Sequence, residues 1–299
     1  MAERGLLDLM LARLPELSFQ EKISLCECFN AEPDLIQRSH ADIEEIIQRK
    51  LPAFWDIKAI RQLAEKDAQA AQLRGIGWVP WQNGAYPPLL REIYDPPLLL
   101  FFRGKLPDPQ KPLAAIVGTR KPSPQAAAQA FDLAKGLGQG GISVVSGLAI
   151  GIDAMSHRGS LESGTPGIAV LGSGLDEVYP SSNRTLARRI LETGGALLSE
   201  YPPGTGPRKW TFPARNRIIS GMSRGVVIVE APQRSGALIT ARFALEQNRD
   251  LWVASAGLTV EGQASRFDRR GTTALAEDGA GVVYSASDIL KTWNIRMKV

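Results

Sequence analysis

From residue 113 onward, runs that are apolar at almost every position alternate with helix-like segments, and no other feature constrains the fold as much. The runs are LAAIVG, ISVVSG, GIAVLG, ALLSE, GVVIVEA, LWVASA and GVVY. A strand that is apolar on both faces is buried on both faces, and strands separated by helices are joined by right-handed crossovers into a parallel sheet. The pattern predicts an α/β fold with a doubly wound, mostly parallel sheet. Helix starts are legible within it: Ser123-Pro124 places a cap and a first-turn proline, and Ser235-Gly236 opens the segment ALITARFALEQN.

Composition shifts near residue 75. Before it, LLDLMLARLPELSFQEKISLCECF and DLIQRSHADIEEIIQRKL show helical spacing, with Ser39 and Asp42 as candidate caps. The expected organisation is a small all-helical N-terminal domain over 1–75, followed by the α/β domain over 76–299. The stretch GIGWVPWQNGAYPPLLREIYDPPLLLFFRGKLP packs Pro, Gly and aromatics around short apolar runs, as an irregular connector with one or two strands does.

At 299 residues, 44% apolar and 22% charged, the chain can bury one large core or two unequal ones. The formal charge of +4 is modest, but a pI near 9.1 makes clustering of the basic residues the useful question. The cysteines, Cys26 and Cys28, sit one residue apart, poorly placed for a structural bridge and consistent with a reducing compartment. With His40 and His157 they make no plausible zinc set, so neither metal nor cofactor is expected. The N-terminus MAERGLLDLMLARL is amphipathic and carries both charge signs, unlike a signal peptide. No run approaches the roughly 18 apolar residues of a membrane span. A cytoplasmic protein with no membrane partner is expected.

In doubly wound sheets, ligands bind outside the carboxyl ends of the strands. The first such loop reads Gly118-Thr119-Arg120-Lys121. The second, inside VVSGLAIGIDAMSH, offers Ser146, Gly147, Gly151 and Asp153. Amides and hydroxyls at a strand end, facing a helix N-terminus, suit an anion, yet no Lys-Ser/Thr pair follows the glycines as a nucleotide-binding P-loop requires. The glycines alone could equally serve only a tight turn, and the neighbouring Arg120 tips the reading to an anion site.

The third loop, PRKWTFPARNRIISG, bears on the kind of anion. Arg208, Lys209, Arg215 and Arg217 fall within ten residues without an acid among them, interleaved with Trp210 and Phe212. Cations meet backbone phosphates while aromatic faces stack on unpaired bases, a mixture suited to a single strand. Arg184, in YPSSNR, adds a cation after the third strand. The competing reading places Trp210 and Phe212 in the core and pairs the arginines with carboxylates; for Trp210 the core is favoured, and for Phe212 the two readings are balanced.

GTR, VVSGLAIGIDAMSH, IAVLGSGLDEVYPSSN, LLSEYPPGT, FPARNRIISGMS and VIVEAPQRSGALITARFALEQNR resemble, in order, the motifs of the DNA-processing protein A family, also called Smf. The likeness covers nearly the whole chain, with residues 1–70 similar to the family's N-terminal helical module of SAM or helix-hairpin-helix type. The resemblance implies an extended Rossmann-like domain, usually a homodimer, that binds and protects single-stranded DNA and helps load the RecA recombinase during natural transformation. It implies a mediator rather than an enzyme. By motif position it also implies that Arg120, the Ser146–Asp153 loop, Lys209, Phe212, Arg215, Asn216, Arg217, Ser235, Gly236 and Thr240 lie at the nucleic-acid pocket.

The sequence departs from the family in two places. VASAGLTVEGQASRFDRRGTT stands where a Val-Pro-Gly is usual and brings a basic cluster at Arg266, Arg269 and Arg270. The chain also stops soon after SASDILKTWNIRMKV, so no C-terminal winged-helix module is expected. A second reading is a nucleotide-processing enzyme of a related Rossmann-like superfamily acting on nucleoside monophosphates. Asp153 and His157 are spaced to share a helix face, and Glu230 ends a buried strand. Binding is favoured over catalysis, because Asp153 is explained by the helix dipole, His157 by a structural role and Glu230 by anchoring a loop.

Overall fold

The computed structural model describes residues 2–52, 54–259 and 266–295. Part of the altered loop after LWVASA, residues 260–265, therefore lies outside the described residues.

The chain begins with helices α1 (Ala2–Arg13), α2 (Phe19–Cys28), α3 (Glu32–Ile36), α4 (His40–Ile47) and α5 (Ile57–Leu73). The starts of α2, α4 and α5 are set by side chains that satisfy first-turn amides. Ser18 caps α2 in a box with Glu21, and Ser39 caps α4 in a box with Asp42. Asp42 is thus the third helical residue that reaches back to the Ser39 amide at 2.8 Å, rather than a cap itself.

Strand β1 (Gly77–Pro80), the short helix α6 (Pro88–Arg91) and β2 (Leu99–Gly104) make up the irregular connector. The alternating part follows as β3 (Leu113–Val117), α7 (Pro124–Gln139), β4 (Ser143–Ser146), α8 (Ile152–Glu162) and β5 (Ile168–Val170). It continues through α9 (Arg184–Glu192), β6 (Ala196–Ser199), α10 (Thr211–Gly221), β7 (Gly225–Ile228) and α11 (Gly236–Glu246). It closes with β8 (Asp250–Ala254), α12 (Arg270–Glu277), β9 (Gly281–Val283) and α13 (Ala286–Thr292). Each apolar run named from the sequence is one of the strands β3 to β9.

The strands form one nine-stranded sheet in the order β1-β2-β6-β5-β4-β3-β7-β8-β9. Pairings from β6 through to β9 are parallel, whereas β1–β2 and β2–β6 are antiparallel. Alternate residues of β3 serve opposite faces, as strand geometry requires. Ala114 and Ile116 pack with α7 and α13 residues such as Leu133 and Ile289, while Ala115 and Val117 pack with Ile218 of α10 and Ala241 of α11. The apolar core under α1–α5 runs on into Leu99 and Phe101 of β2 and Leu171 after β5.

The chain winds outward from β3 to β6, then returns through α10 to place β7 on the other side of β3. The strand order reverses between β3 and β7, and a crevice opens there at the carboxyl ends.

Candidate nucleic-acid interface

A cleft of about 890 Å3 occupies that crevice. Its floor is the loop after β3. Thr119 N donates to Glu230 O at 2.7 Å and Ile152 N donates to Thr119 O at 3.2 Å, fastening the loop to the segment after β7 on one side and to the start of α8 on the other. Gly151 makes the second contact possible: its φ is +83°, and a Cβ there would lie 2.4 Å from Thr119 O.

The glycine loop after β4 is closed from within. Asp153 Oδ2 accepts from Gly147 N at 3.1 Å and from Ala149 N at 3.4 Å. Burial pushes the Asp153 carboxyl above the ordinary Asp range, with Arg215 and the loop amides acting the other way. Asp153 borders the cleft but spends its charge on the loop and on Arg215.

Arg215 is almost fully buried and donates from Nη1 to Val170 O. Burial lowers its pKa to about 10, opposed by Asp153. The guanidinium lies against Gly147, where a Cβ would fall 2.3 Å from Nη1, so the first glycine of this loop is there for close approach. Arg215 is part of the cleft floor, a buried cation beneath the loop rather than an arm extended into solvent.

Above the floor the cations are different. Arg120, Lys121, Lys209, Arg234 and Arg266 border the cleft and are solvent-exposed, and none has a carboxylate partner among the described residues. The Arg120 guanidinium sits 5.9 Å from the centre of the half-buried Phe212 ring, and the Tyr179 ring centre lies 5.5 Å from the same ring. Ser235 caps α11 through Ala237 N at 3.2 Å, and Asn216 Nδ2 donates to Gly236 O at 3.1 Å, tying α10 to the start of α11. Thr240 follows one turn further along the cleft.

Five residues expected at this site do not border the cleft: Ser146, Gly147, Arg217, Arg184 and Gly151, the last of which instead backs the Thr119–Arg120 turn. Ser146 is buried on the sheet, where its hydroxyl donates at 2.7 Å to the Ile116 carbonyl of the neighbouring strand β3. Gly147 is covered by Arg215. Arg217 is turned away and held by Glu200 and Asp95, so for this one cation the carboxylate-pairing reading wins. Arg184 borders a separate cavity of about 380 Å3 that shares Tyr179 with the main cleft. Trp210 is also a correction: it is 58% exposed and meets Tyr201 edge-on at 6.0 Å, outside the core.

The groups of the catalytic reading are engaged or enclosed. His157 is fully buried, has no hydrogen-bond partner on either ring nitrogen among the described residues, and does not reach the cleft. Glu230 accepts from Ser123 N at 2.9 Å, Ser123 Oγ at 2.6 Å and Arg269 Nε at 3.2 Å, which makes it an anchor between loops. No cluster of metal-binding side chains occurs among the described residues. No helix among them is long and apolar enough to cross a membrane.

The structure adds Tyr179, Arg234, Arg266 and Phe267 to the cleft. Two of them stand inside motifs already legible, in VYPSSN and APQRSG, beside the residues that were singled out.

The model of the DNA recombination-mediator protein A family matches residues 78–294. DNA processing protein DprA of Streptococcus pneumoniae is 43% identical over 208 residues, which are 70% of this chain and 71% of that one. The chain belongs to the DNA recombination-mediator protein A family. The crystal structure of the Streptococcus pneumoniae member superposes with a TM-score of 0.73 at 33% identity, covering 98% of this chain and 97% of its own. DNA processing protein A of Helicobacter pylori, described for its single-stranded DNA binding mode, matches at a TM-score of 0.62 and 27% identity over 74% of this chain and 97% of its own. The family match begins inside β1 and takes in the whole cleft.

Proposed function

We propose that this chain is a non-catalytic recombination mediator that holds single-stranded DNA in the cleft between β3 and β7. One observation carries the reading: exposed cations without carboxylate partners among the described residues surround a half-buried aromatic ring at the strand-order reversal. Arg120, Lys121 and Lys209 would meet backbone phosphates, assisted by Ser235, Gly236 and Thr240. Phe212 would stack on an unpaired base. The Helicobacter pylori relative supports the choice of ligand. Resemblance to the family supports a cytoplasmic homodimer that passes the strand to a RecA recombinase.

Binding of a labelled oligo-dT, read by fluorescence anisotropy across a salt series, tests the ligand. Tight, salt-sensitive binding that weakens in Arg120→Ala and resists a duplex competitor is expected. Absence of binding at low salt would remove the reading. Light scattering tests the homodimer, and RecA filament growth on the bound strand tests the hand-over.

A further inference from the structure

We propose that Arg266 and Phe267, with Arg234, form a second nucleotide-binding wall of the cleft, so that a strand is gripped from both flanks of the β3–β7 crevice. The inference rests on the single-stranded DNA reading above. Phe212 reaches the cleft from α10, which follows β6, whereas Phe267 reaches it from the loop after β8; in the sheet these strands lie on opposite sides of β3 and β7. Each ring has a guanidinium over it: Arg120 at 5.9 Å from the Phe212 centre and Arg266 at 5.0 Å from the Phe267 centre. The same pairing of stacking face and cation thus occurs twice in one cleft. A base stacks on the ring and the adjacent phosphate meets the cation.

The second wall is held in place by its own residues. Arg269 donates to Glu230 at 3.2 Å, to Leu258 O at 3.3 Å and to Ser123 Oγ at 3.2 Å, fixing the loop against the floor two residues beyond Phe267. The nearby carboxylate is neutralised: Asp268 is bound by Arg270 at 2.8 Å, and that hydrogen bond lowers its pKa to about 2. Arg266 has no carboxylate partner among the described residues and is exposed. The volume, about 890 Å3, also stands near the upper end of small-molecule sites, roughly 300–1,000 Å3, leaving room for more than one nucleotide.

The test compares wild type, Arg120→Ala, Arg266→Ala, Phe267→Ala and Phe267→Leu on an oligo-dT of about 8 nucleotides, within the range one single-strand site covers. Arg266→Ala is expected to weaken binding several-fold and lower the logarithmic salt slope by about 0.7. Phe267→Ala is expected to weaken it about tenfold. Phe267→Leu keeps the apolar volume and removes the stacking face, so its loss of affinity separates stacking from folding. An iodouracil-substituted strand should crosslink to peptides carrying Phe212 and Phe267. If wild type binds and Arg120→Ala weakens it while the Arg266 and Phe267 variants match wild type, the second wall is overturned and the single-strand reading stands. If wild type binds no strand, both fall.

Discussion

Arg217 grips Glu200 with both terminal nitrogens, Nη1 to Oε2 at 2.9 Å and Nη2 to Oε1 at 2.5 Å, while its Nε donates to Asp95 O at 2.9 Å. The arginine is 12% exposed, and the buried amine of Lys22 in α2 feels the charges of Glu200 and Asp95. The cluster therefore connects α2, β6 and the helix that carries Phe212, without reaching the cleft.

Arg217→Ala is accordingly expected to destabilise the protein, by on the order of 2 kcal/mol, because it strips partners from a part-buried carboxylate. Lys209→Ala should leave stability almost unchanged, since Lys209 is exposed and unpaired among the described residues. Urea unfolding of both variants, set beside their affinity for oligo-dT, separates the two roles. Equal stability of both would mean that the Glu200 cluster contributes nothing to folding.

Phe212 borders the cleft half-buried, near both Arg120 and Tyr179. Its replacement by Ala is expected to cost on the order of 1–3 kcal/mol of single-strand affinity. Phe212→Leu should recover packing without recovering affinity. Full affinity in Phe212→Leu would assign the ring to packing alone.

Strand identity was readable because burial on both faces leaves an unbroken apolar run, and β3 to β9 all have that signature. The cleft's location followed from the order of elements, since a doubly wound sheet has its crevice where the strand order reverses. Side-chain direction was not readable. Arg215 and Arg217 are adjacent members of one motif, yet one lies under Gly147 and the other faces Glu200, because α10 turns about 100° per residue and its two faces meet different strands. The place of Phe267 is not legible in the sequence for a related reason. Its place depends on Arg269 meeting Glu230, a contact between residues 39 apart that no local pattern encodes.

Gly151 has a φ of +83°, with Thr119 O and the Arg120 backbone within 3 Å of where a Cβ would stand. Gly151→Ala is expected to lose oligo-dT binding and to lower stability by more than about 1 kcal/mol, through backbone strain and displacement of the Thr119–Arg120 turn. Gly164→Ala is the control, since its φ of +72° imposes backbone strain but no atom lies within 4 Å of the added carbon. It should lose stability and keep affinity. Equal affinity loss in both variants would deny the turn any special part in binding.

His157 makes the acid side of the stability curve predictable. Burial first, and then the charge of Arg215, lower its pKa from 6.5 to about 3, so the folded protein holds it neutral. The unfolded chain takes up a proton near the ordinary value, and between these limits the unfolded state binds more protons than the folded one. Stability therefore falls as pH drops from about 6.5 toward about 3. Asp153 acts in the opposite sense, because burial raises its pKa and the folded state then takes up its proton more readily. His157→Gln isolates the histidine, since Gln stays neutral throughout. Whatever Gln costs near neutral pH, the difference between wild type and variant in urea midpoint should shift in favour of the variant on acidification to about pH 5. A difference that stays constant with pH would mean the imidazole takes protons in the folded protein as readily as in the unfolded chain.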